Sequence, residues 1–116
     1  MQNMPTMPET LRIIPNDWSA PLDLQAIFGA PPQRLEIDLG CGKGRFLLAR
    51  AETHPTVSFL GVDRQLHRIG KTERKALRAG LCNIRLIRAE IAYTVANLLA
   101  PGTVATYYLF FPDPWP

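Results

Sequence analysis

The side chains best placed to do chemistry lie at the end of the chain, in the segment Phe110–Pro116. This segment holds one carboxylate, Asp113, between two prolines and directly before a tryptophan. The apolar run before it, residues 104–111, is typical of a buried strand. Because Pro112 and Pro114 have a fixed φ and no N–H to donate, they predict that the strand ends there in a stiff loop. Such a loop at the carboxyl end of a strand is where α/β proteins place their active sites.

A glycine loop lies earlier in the chain, within residues 36–44, and predicts a ligand site between a strand and a helix. Gly40 and Gly42 let the backbone take positive φ and let a ligand approach it closely, so we expect both to contact a cofactor. Two acids, Glu36 and Asp38, flank the place where a dinucleotide would put its pyrophosphate. They would repel phosphate and attract an ammonium or sulfonium group, which favours S-adenosylmethionine. The alternative is a tight turn with surface acids.

Two further acids follow the next two predicted strands. Asp63 comes about 20 residues after the glycine loop, where an acid accepts hydrogen bonds from ribose hydroxyls in doubly wound folds. Its alternative role is that of a helix N-cap. Glu90 follows the third strand and could accept a hydrogen bond from an adenine amino group, or could complement the dipole of the next helix.

The elements that must position these residues alternate regularly along the chain. This alternation predicts βαβ units and a parallel sheet, with the fold class α/β. In the usual order 3-2-1-4, the fourth strand lies at an edge. The predicted strands are residues 34–39, 57–62, 82–87 and 104–111, and the predicted helices are residues 43–52, 65–79 and 91–99. Residues 22–28 suggest a short helical turn, and residues 1–20 a flexible arm with one segment, around residues 11–18, docked on the domain.

The predicted helix 65–79 and the residue before it carry five cations at positions that share one helix face, which are Arg64, Arg68, Lys71, Lys75 and Arg78. Their spacing of three and four residues is typical either of a stripe that contacts phosphates or of a solvated outer face. A charge run is more often a solvated face, so the pattern by itself favours the second interpretation.

Composition excludes several classes of protein. With 116 residues the chain forms at most one domain, and 47% hydrophobic with 20% charged residues is ordinary for a globular protein. The net charge of +3 permits a polyanionic partner. Two cysteines without metal-like or redox spacing predict reduced thiols and no metal site. Residues 1–21 lack the apolar core of a signal peptide, and no stretch approaches the ~18 apolar residues of a membrane span, so we expect a cytoplasmic protein without membrane contact.

These motifs together resemble the bacterial tRNA (guanine-N(7)-)-methyltransferase family. The resemblance covers residues 22–116 and lies in the glycine loop, in Phe28-Gly29, in residues 80–85 and in the terminal Phe-Pro-Asp-Pro-Trp string. It implies that residues 21–116 are the N-terminal part of a class I, Rossmann-like, S-adenosylmethionine-dependent methyltransferase domain. By motif position the resemblance assigns cofactor contacts to four acids, which are Glu36, Asp63, Glu90 and Asp113. It also makes Asp113 the proposed catalytic residue.

The activity that the resemblance implies is methylation of nitrogen seven of a guanine in the tRNA variable loop. That nitrogen has a free lone pair and needs no general base, so alignment and charge handling are the main work of the enzyme. Asp113 would stabilise the cationic product or orient the base through its amino edge. The alternatives are a non-catalytic fragment that binds S-adenosylmethionine, and a class I methyltransferase with a small-molecule or protein substrate.

The end of the chain adds one more expectation. The predicted strand 104–111 is long, apolar and uncharged like a central strand, yet the order 3-2-1-4 leaves it at an edge. In the family that this chain resembles, a run rich in Lys, Arg and His follows the terminal motif. We therefore expect this sequence to be the N-terminal part of a longer enzyme.

Overall fold

The structure is a computed structural model that describes residues 8–110. Its centre is a four-stranded parallel sheet in the order β3-β2-β1-β4, which confirms the predicted α/β class and strand order. The strands are β1 (Leu35–Leu39), β2 (Ser58–Asp63), β3 (Ile84–Arg88) and β4 (Thr106–Leu109). Because all four run in parallel, their carboxyl ends meet at one edge of the sheet, where the predicted site residues follow.

The helices connect the strands as the sequence predicts, with shifted boundaries. They are α1 (Leu24–Phe28), α2 (Arg45–Thr53), α3 (Leu66–Arg78) and α4 (Ile91–Tyr93), the last of which continues as a π-helical turn, Thr94–Leu98. The helix predicted from residue 43 begins two residues later, because Gly44 has a φ of 80° and stands outside the helix as its N-cap. Among residues 8–110 there is no helix of the length and apolarity needed to cross a bilayer.

The two faces of the sheet bury separate cores. Leu35, Ile37 and Leu39 of β1 point to the face covered by α1 and the segment 91–99, where Leu98 is fully buried. The opposite face packs against α2 and α3 through residues such as Leu47, Phe59 and Ile69. Since side chains alternate along a strand, the two acids of β1 point to the α2–α3 face.

The fourth strand is shorter than predicted. Among residues 8–110 it spans only Thr106–Leu109 and pairs with β1 alone, with alternating partly buried and exposed side chains. Tyr107, Leu109 and Phe110 are about half exposed. The apolar run predicted a longer strand because composition alone does not show where ladder hydrogen bonds end.

A segment before α1 covers the outer edge of β3. Ile13 N donates to Leu86 O at 2.8 Å and Leu86 N donates to Leu11 O at 2.9 Å, in the manner of a parallel strand. Leu11 is fully buried in the core beneath α3. Glu73 of α3 fixes the segment by accepting from the backbone N–H groups of Leu11 and Arg12 at 2.8 and 3.2 Å. Part of the predicted arm is therefore integral to the sheet.

Candidate functional site

The glycine loop folds over the carboxyl end of β2. The backbone N–H groups of Gly40 and Cys41 both donate to Val62 O, at 2.7 and 2.9 Å. Gly40 and Gly42 have φ values of 85° and 56°, a region that residues with a Cβ rarely adopt. An added Cβ at Gly42 would meet nothing within 4 Å, so the structure leaves open space beside that glycine.

The third glycine of the loop, Gly44, is required for a different reason, which is close packing. A Cβ at Gly44 would lie 2.5 Å from Cγ2 of Thr72, so the close packing of the loop on α3 requires glycine there. Thr72 is fully buried and its hydroxyl donates to Gly42 O at 3.1 Å. Gly44 thus serves packing, whereas Gly42 lines open space where a ligand could approach the main chain.

Asp63 connects the end of β2 to the glycine loop. Its Oδ2 accepts the N–H of Gly42 at 3.0 Å and its Oδ1 accepts the N–H of Gln65 at 2.8 Å. The side chain is only 6% exposed, and Arg68 Nη1 lies 4.0 Å from Oδ2. The sequence left a ribose role and an N-cap role open. In the structure Gln65 is the N-cap of α3, and Asp63 orders the turn before it.

Asp38 is the acid nearest to the end of β1 and the most unusual polar group of the site. It is 2% exposed, and its Oδ1 accepts no hydrogen bond from the described residues. Burial, reinforced by the negative charge of Asp63, raises the pKa of Asp38 to about 6. A buried carboxylate without a partner is costly and marks a candidate functional group.

The site residues predicted from the sequence do not include Asp38, although its charge already favours a cationic cofactor. The signal that separates it from Glu36 is position, because Asp38 lies two residues nearer the loop at the carboxyl end of β1. The same two carboxylates, Asp38 and Asp63, add to the effect of burial on Cys41, whose thiol pKa is raised well above its ordinary value. The three side chains therefore influence one another at the base of the loop.

Glu36 has different surroundings from Asp38. It is fully buried, and its two oxygens accept from Arg34 Nε at 2.8 Å, from Arg50 Nη2 at 3.0 Å and from the hydroxyl of Tyr108 at 2.8 Å. Burial alone raises the pKa of Glu36, but the hydrogen bonds from Arg34, Tyr108 and Arg50 outweigh it and hold the pKa below its ordinary value. These contacts join β1, α2 and β4. The cofactor contact predicted for Glu36 stays a prediction.

Glu90 lies at the carboxyl end of β3, as predicted, and is exposed. Its backbone carbonyl accepts from the N–H and hydroxyl of Thr94, while its side chain makes no capping hydrogen bond to α4. Ala89 N donates to Asp63 O at 3.0 Å, which places the ends of β2 and β3 side by side. The helical stretch that follows continues to Leu98 through the π-helical turn, and both roles predicted for Glu90, toward adenine and toward the helix dipole, stay predictions.

The predicted catalytic residue, Asp113, lies outside the described residues. The last described aromatic before it, Phe110, packs edge-on against Phe46 of α2 with ring centroids 4.9 Å apart. Tyr108 packs on the same ring at 4.7 Å. Among residues 8–110, no three His, Cys, Asp or Glu side chains are grouped so that they could hold a metal ion.

The fold is that of class I methyltransferases. The antibiotic-resistance methyltransferase Kmr is similar to this chain with a TM-score of 0.59 and 31% identity, over 78% of this chain and 43% of that one. The 30S ribosomal A1408 methyltransferase from an uncultured bacterium has a TM-score of 0.61 over the same shares, at 22% identity, and supports the fold alone.

Residues 32–116 match the protein family described as "Putative methyltransferase", and the chain belongs to that family. It is 43% identical over 95 residues to the tRNA (guanine-N(7)-)-methyltransferase of Leifsonia xyli subsp. xyli, over 82% of this chain and 41% of that one. The enzyme of the same name from Sodalis glossinidius is 38% identical, over 85% of this chain and 41% of that one. The resemblance seen in the sequence is thereby confirmed. The chain spans about two fifths of the length of these curated relatives.

Proposed function

We propose that this chain forms the cofactor-binding part of an S-adenosylmethionine-dependent methyltransferase that modifies nitrogen seven of guanine in tRNA. The observation that carries the proposal is the buried carboxylate of Asp38 near the carboxyl end of β1, whose Oδ1 accepts no hydrogen bond from residues 8–110. A negative group with no ion pair among the described residues fits a cofactor with ammonium and sulfonium charges. The names of the curated relatives support the tRNA substrate.

The residues present fit this cofactor. Gly42 leaves open space at the main chain, and Asp63 holds the loop in place through the Gly42 N–H. We propose Asp38 in place of Glu36 as the acid that faces the cationic end, because the oxygens of Glu36 already accept from two arginines and a tyrosine. Asp63 and Glu90 keep their proposed roles toward ribose and adenine at the ends of β2 and β3.

When bound, S-adenosylmethionine supplies an electrophilic methyl group on a sulfonium. The protein then needs to align the guanine nitrogen with that methyl group and to exclude water. The chain offers a preformed loop on rigid strands for the alignment, and Asp113 is proposed to stabilise the cationic product or to orient the base. The tRNA variable loop as the target and the cytoplasm as the location are part of the same proposal.

Two measurements on the same preparation test the proposed function. Isothermal titration with S-adenosylmethionine should show binding that Asp38→Asn weakens at neutral pH. Methyl transfer to an unmodified tRNA transcript should depend on Asp113, so that Asp113→Ala abolishes transfer while lowering cofactor affinity far less, through the loss of its own predicted cofactor contact. Cofactor binding without transfer to tRNA would favour the non-catalytic alternative, and transfer to another substrate would favour a different class I methyltransferase. Absence of cofactor binding would refute the proposal.

A further inference from the structure

Six cations line one open cleft of about 420 Å³ on the surface formed by the glycine loop, α2 and α3. The residues of this basic cleft are Lys43, Arg45, Lys71, Arg74, Lys75 and Arg78. They are nearly half of the 13 lysines and arginines of a chain whose net charge is only +3. The basic cleft therefore concentrates positive charge in one place.

The basic cleft differs from the stripe that helical spacing predicts. Arg68 leaves the stripe, because it points toward Asp63 at 4.0 Å. Arg64 lies outside the cleft, and its carbonyl accepts from Arg88 Nε at 3.2 Å. Arg74 joins Lys71, Lys75 and Arg78 instead, and two cations come from outside the helix. The tertiary structure thus converts part of a helix face into a concave surface.

None of the six cations is among the ion pairs found between residues 8 and 110, which are formed by Arg34, Arg50 and Arg68. The one acid of α3, Glu73, is turned away from the cleft and bound to the segment at residues 10–12. Burial alone raises the pKa of Glu73, but its hydrogen bonds and the charge of Arg12 hold that pKa below its ordinary value. Glu73 is therefore bonded to residues 10–12 and does not neutralise the cations of the cleft.

The cations of the basic cleft are not all explained as residues of a solvated helix face. Lys75 and Arg78 lie in the last turn of α3, where cations complement the helix dipole. Lys43 and Arg45 lie at the N-terminus of α2, where the dipole is positive and a cation is unfavourable. Lys75 Nζ donates to Lys43 O at 3.4 Å, which brings the two sets together. An anion that occupies the cleft would offset both the dipole and the mutual repulsion.

We infer that the basic cleft binds consecutive phosphates of the RNA backbone and holds the substrate tRNA beside the cofactor loop. This inference rests on the proposed function, since tRNA is the polyanion that the proposal supplies. Lys43 belongs both to the basic cleft and to the glycine loop, where it lies between Gly42 and Gly44. Six cations over one cleft suit several phosphate diesters better than a single small anion.

The test compares two double variants with equal loss of charge. Arg74→Gln with Arg78→Gln removes two exposed cations of the cleft, and glutamine keeps helix propensity. Arg12→Gln with Arg88→Gln removes two arginines that lie together elsewhere on the surface. Thermal unfolding of each variant and titration with S-adenosylmethionine verify that fold and cofactor binding persist.

The readout is the affinity for an unmodified tRNA transcript, measured by fluorescence anisotropy from 50 to 300 mM KCl. Two lost phosphate contacts should weaken binding about 10-fold or more at 100 mM salt and reduce the slope of log K against log salt by about 1.5. The Arg12 and Arg88 control should retain nearly the full slope.

Failure of the inference is distinct from failure of the proposed function. If the wild-type chain binds tRNA and both double variants bind it equally well, the cleft is not the contact and the proposed function stands. If the wild-type chain binds cofactor but no tRNA, the inference about the cleft fails, and the proposed function is then decided by the separate methyl-transfer assay. Tight binding of inorganic phosphate alone, lost in the cleft variant while tRNA affinity is unchanged, would identify a small-anion site and overturn the inference.

Discussion

Asp63 accepts the backbone N–H of Gly42 at 3.0 Å, so the carboxyl end of β2 is tied directly to the loop that follows β1. The bond spans 21 positions of the chain and joins a buried carboxylate to a glycine with positive φ. Gly40 N and Val62 O make a second link between the same loop and strand. The loop is therefore held in place by the protein itself, which favours binding by lowering the cost of ordering.

Gly42 and Gly44 of the loop should respond differently when each is replaced by alanine. We expect Gly42→Ala to cost about 1 to 2 kcal/mol of stability through its left-handed backbone alone, and also to weaken S-adenosylmethionine binding by intruding on the open space. Gly102→Ala is the matched control, since Gly102 has a φ of 78° and open surroundings. Both should lose similar stability in thermal unfolding, whereas only Gly42→Ala should lose affinity in calorimetry.

Gly44→Ala should destabilise more than either, because the added Cβ would lie 2.5 Å from a methyl of the buried Thr72. The companion change Thr72→Ser removes that methyl and should recover part of the loss. If all three alanine variants lost equal stability, the packing reason given for Gly44 would be wrong.

Asp38 should make stability depend on pH. The folded state keeps its proton up to about pH 6, whereas the unfolded chain loses it near pH 3.8, so the folded state binds more protons between these values. The free energy of unfolding contributed by Asp38 therefore falls as pH rises from about 4 to 6 and stays low above that. The full change corresponds to roughly 3 kcal/mol. Urea unfolding of wild type and of Asp38→Asn from pH 4 to 8 measures this contribution, as the difference between the two free energies of unfolding at each pH.

The same variant tests the cofactor role. Ionised Asp38 attracts a cation, so the affinity for S-adenosylmethionine should rise as pH increases through about 6. Asp38→Asn should be more stable than wild type at pH 7.5 and bind the cofactor more weakly. A variant that is more stable and binds equally well would assign the buried charge no role in binding.

Glu36 should prove structural when its charge is removed. Glu36→Gln leaves two guanidinium groups without a carboxylate, and we expect a loss of about 3 kcal/mol, near the lower end for a buried ion pair because Arg34 is half exposed. Tyr108→Phe, which removes one hydrogen bond to the same carboxylate, should cost about 1 kcal/mol. Chemical denaturation measures both. The cofactor affinity of Glu36→Gln should be measured well below the melting temperature of the variant. A reduction of more than about 10-fold there would instead support the predicted contact between Glu36 and the cofactor.

The segment before α1 should matter to stability through one side chain. Leu11 is fully buried, so Leu11→Ala should cost about 2 to 5 kcal/mol. Ile14, three residues later, is 74% exposed, and Ile14→Ala should change stability by less than about 0.5 kcal/mol. Thermal melts of the two variants make the comparison. Equal small effects would show that the segment is not part of the core.

Local patterns explain why much of the fold was predictable. The glycine loop, the Pro101-Gly102 turn and the alternation of apolar runs depend on neighbouring residues, and they predicted four parallel strands. The order 3-2-1-4 is the usual one for the predicted fold class, and the structure has it. Boundaries were less certain, since Gly44 delays α2 by two residues and β4 ends before its apolar run does. Those limits depend on hydrogen-bond partners in other elements.

The sequence by itself determined that acids and a glycine loop follow the carboxyl ends of adjacent strands, because strand direction and turn chemistry are local properties. Only the tertiary structure decided which acid has cations of its own. Glu36 and Asp38 share one face of β1. Glu36 is neutralised by Arg34 and by Arg50, the latter 14 positions away, and accepts a hydrogen bond from Tyr108, 72 positions away. Oδ1 of Asp38 accepts no hydrogen bond from residues 8–110. Long-range contacts likewise placed Leu11 in the core and gathered six cations into one cleft, since burial and charge pairing depend on which surfaces meet.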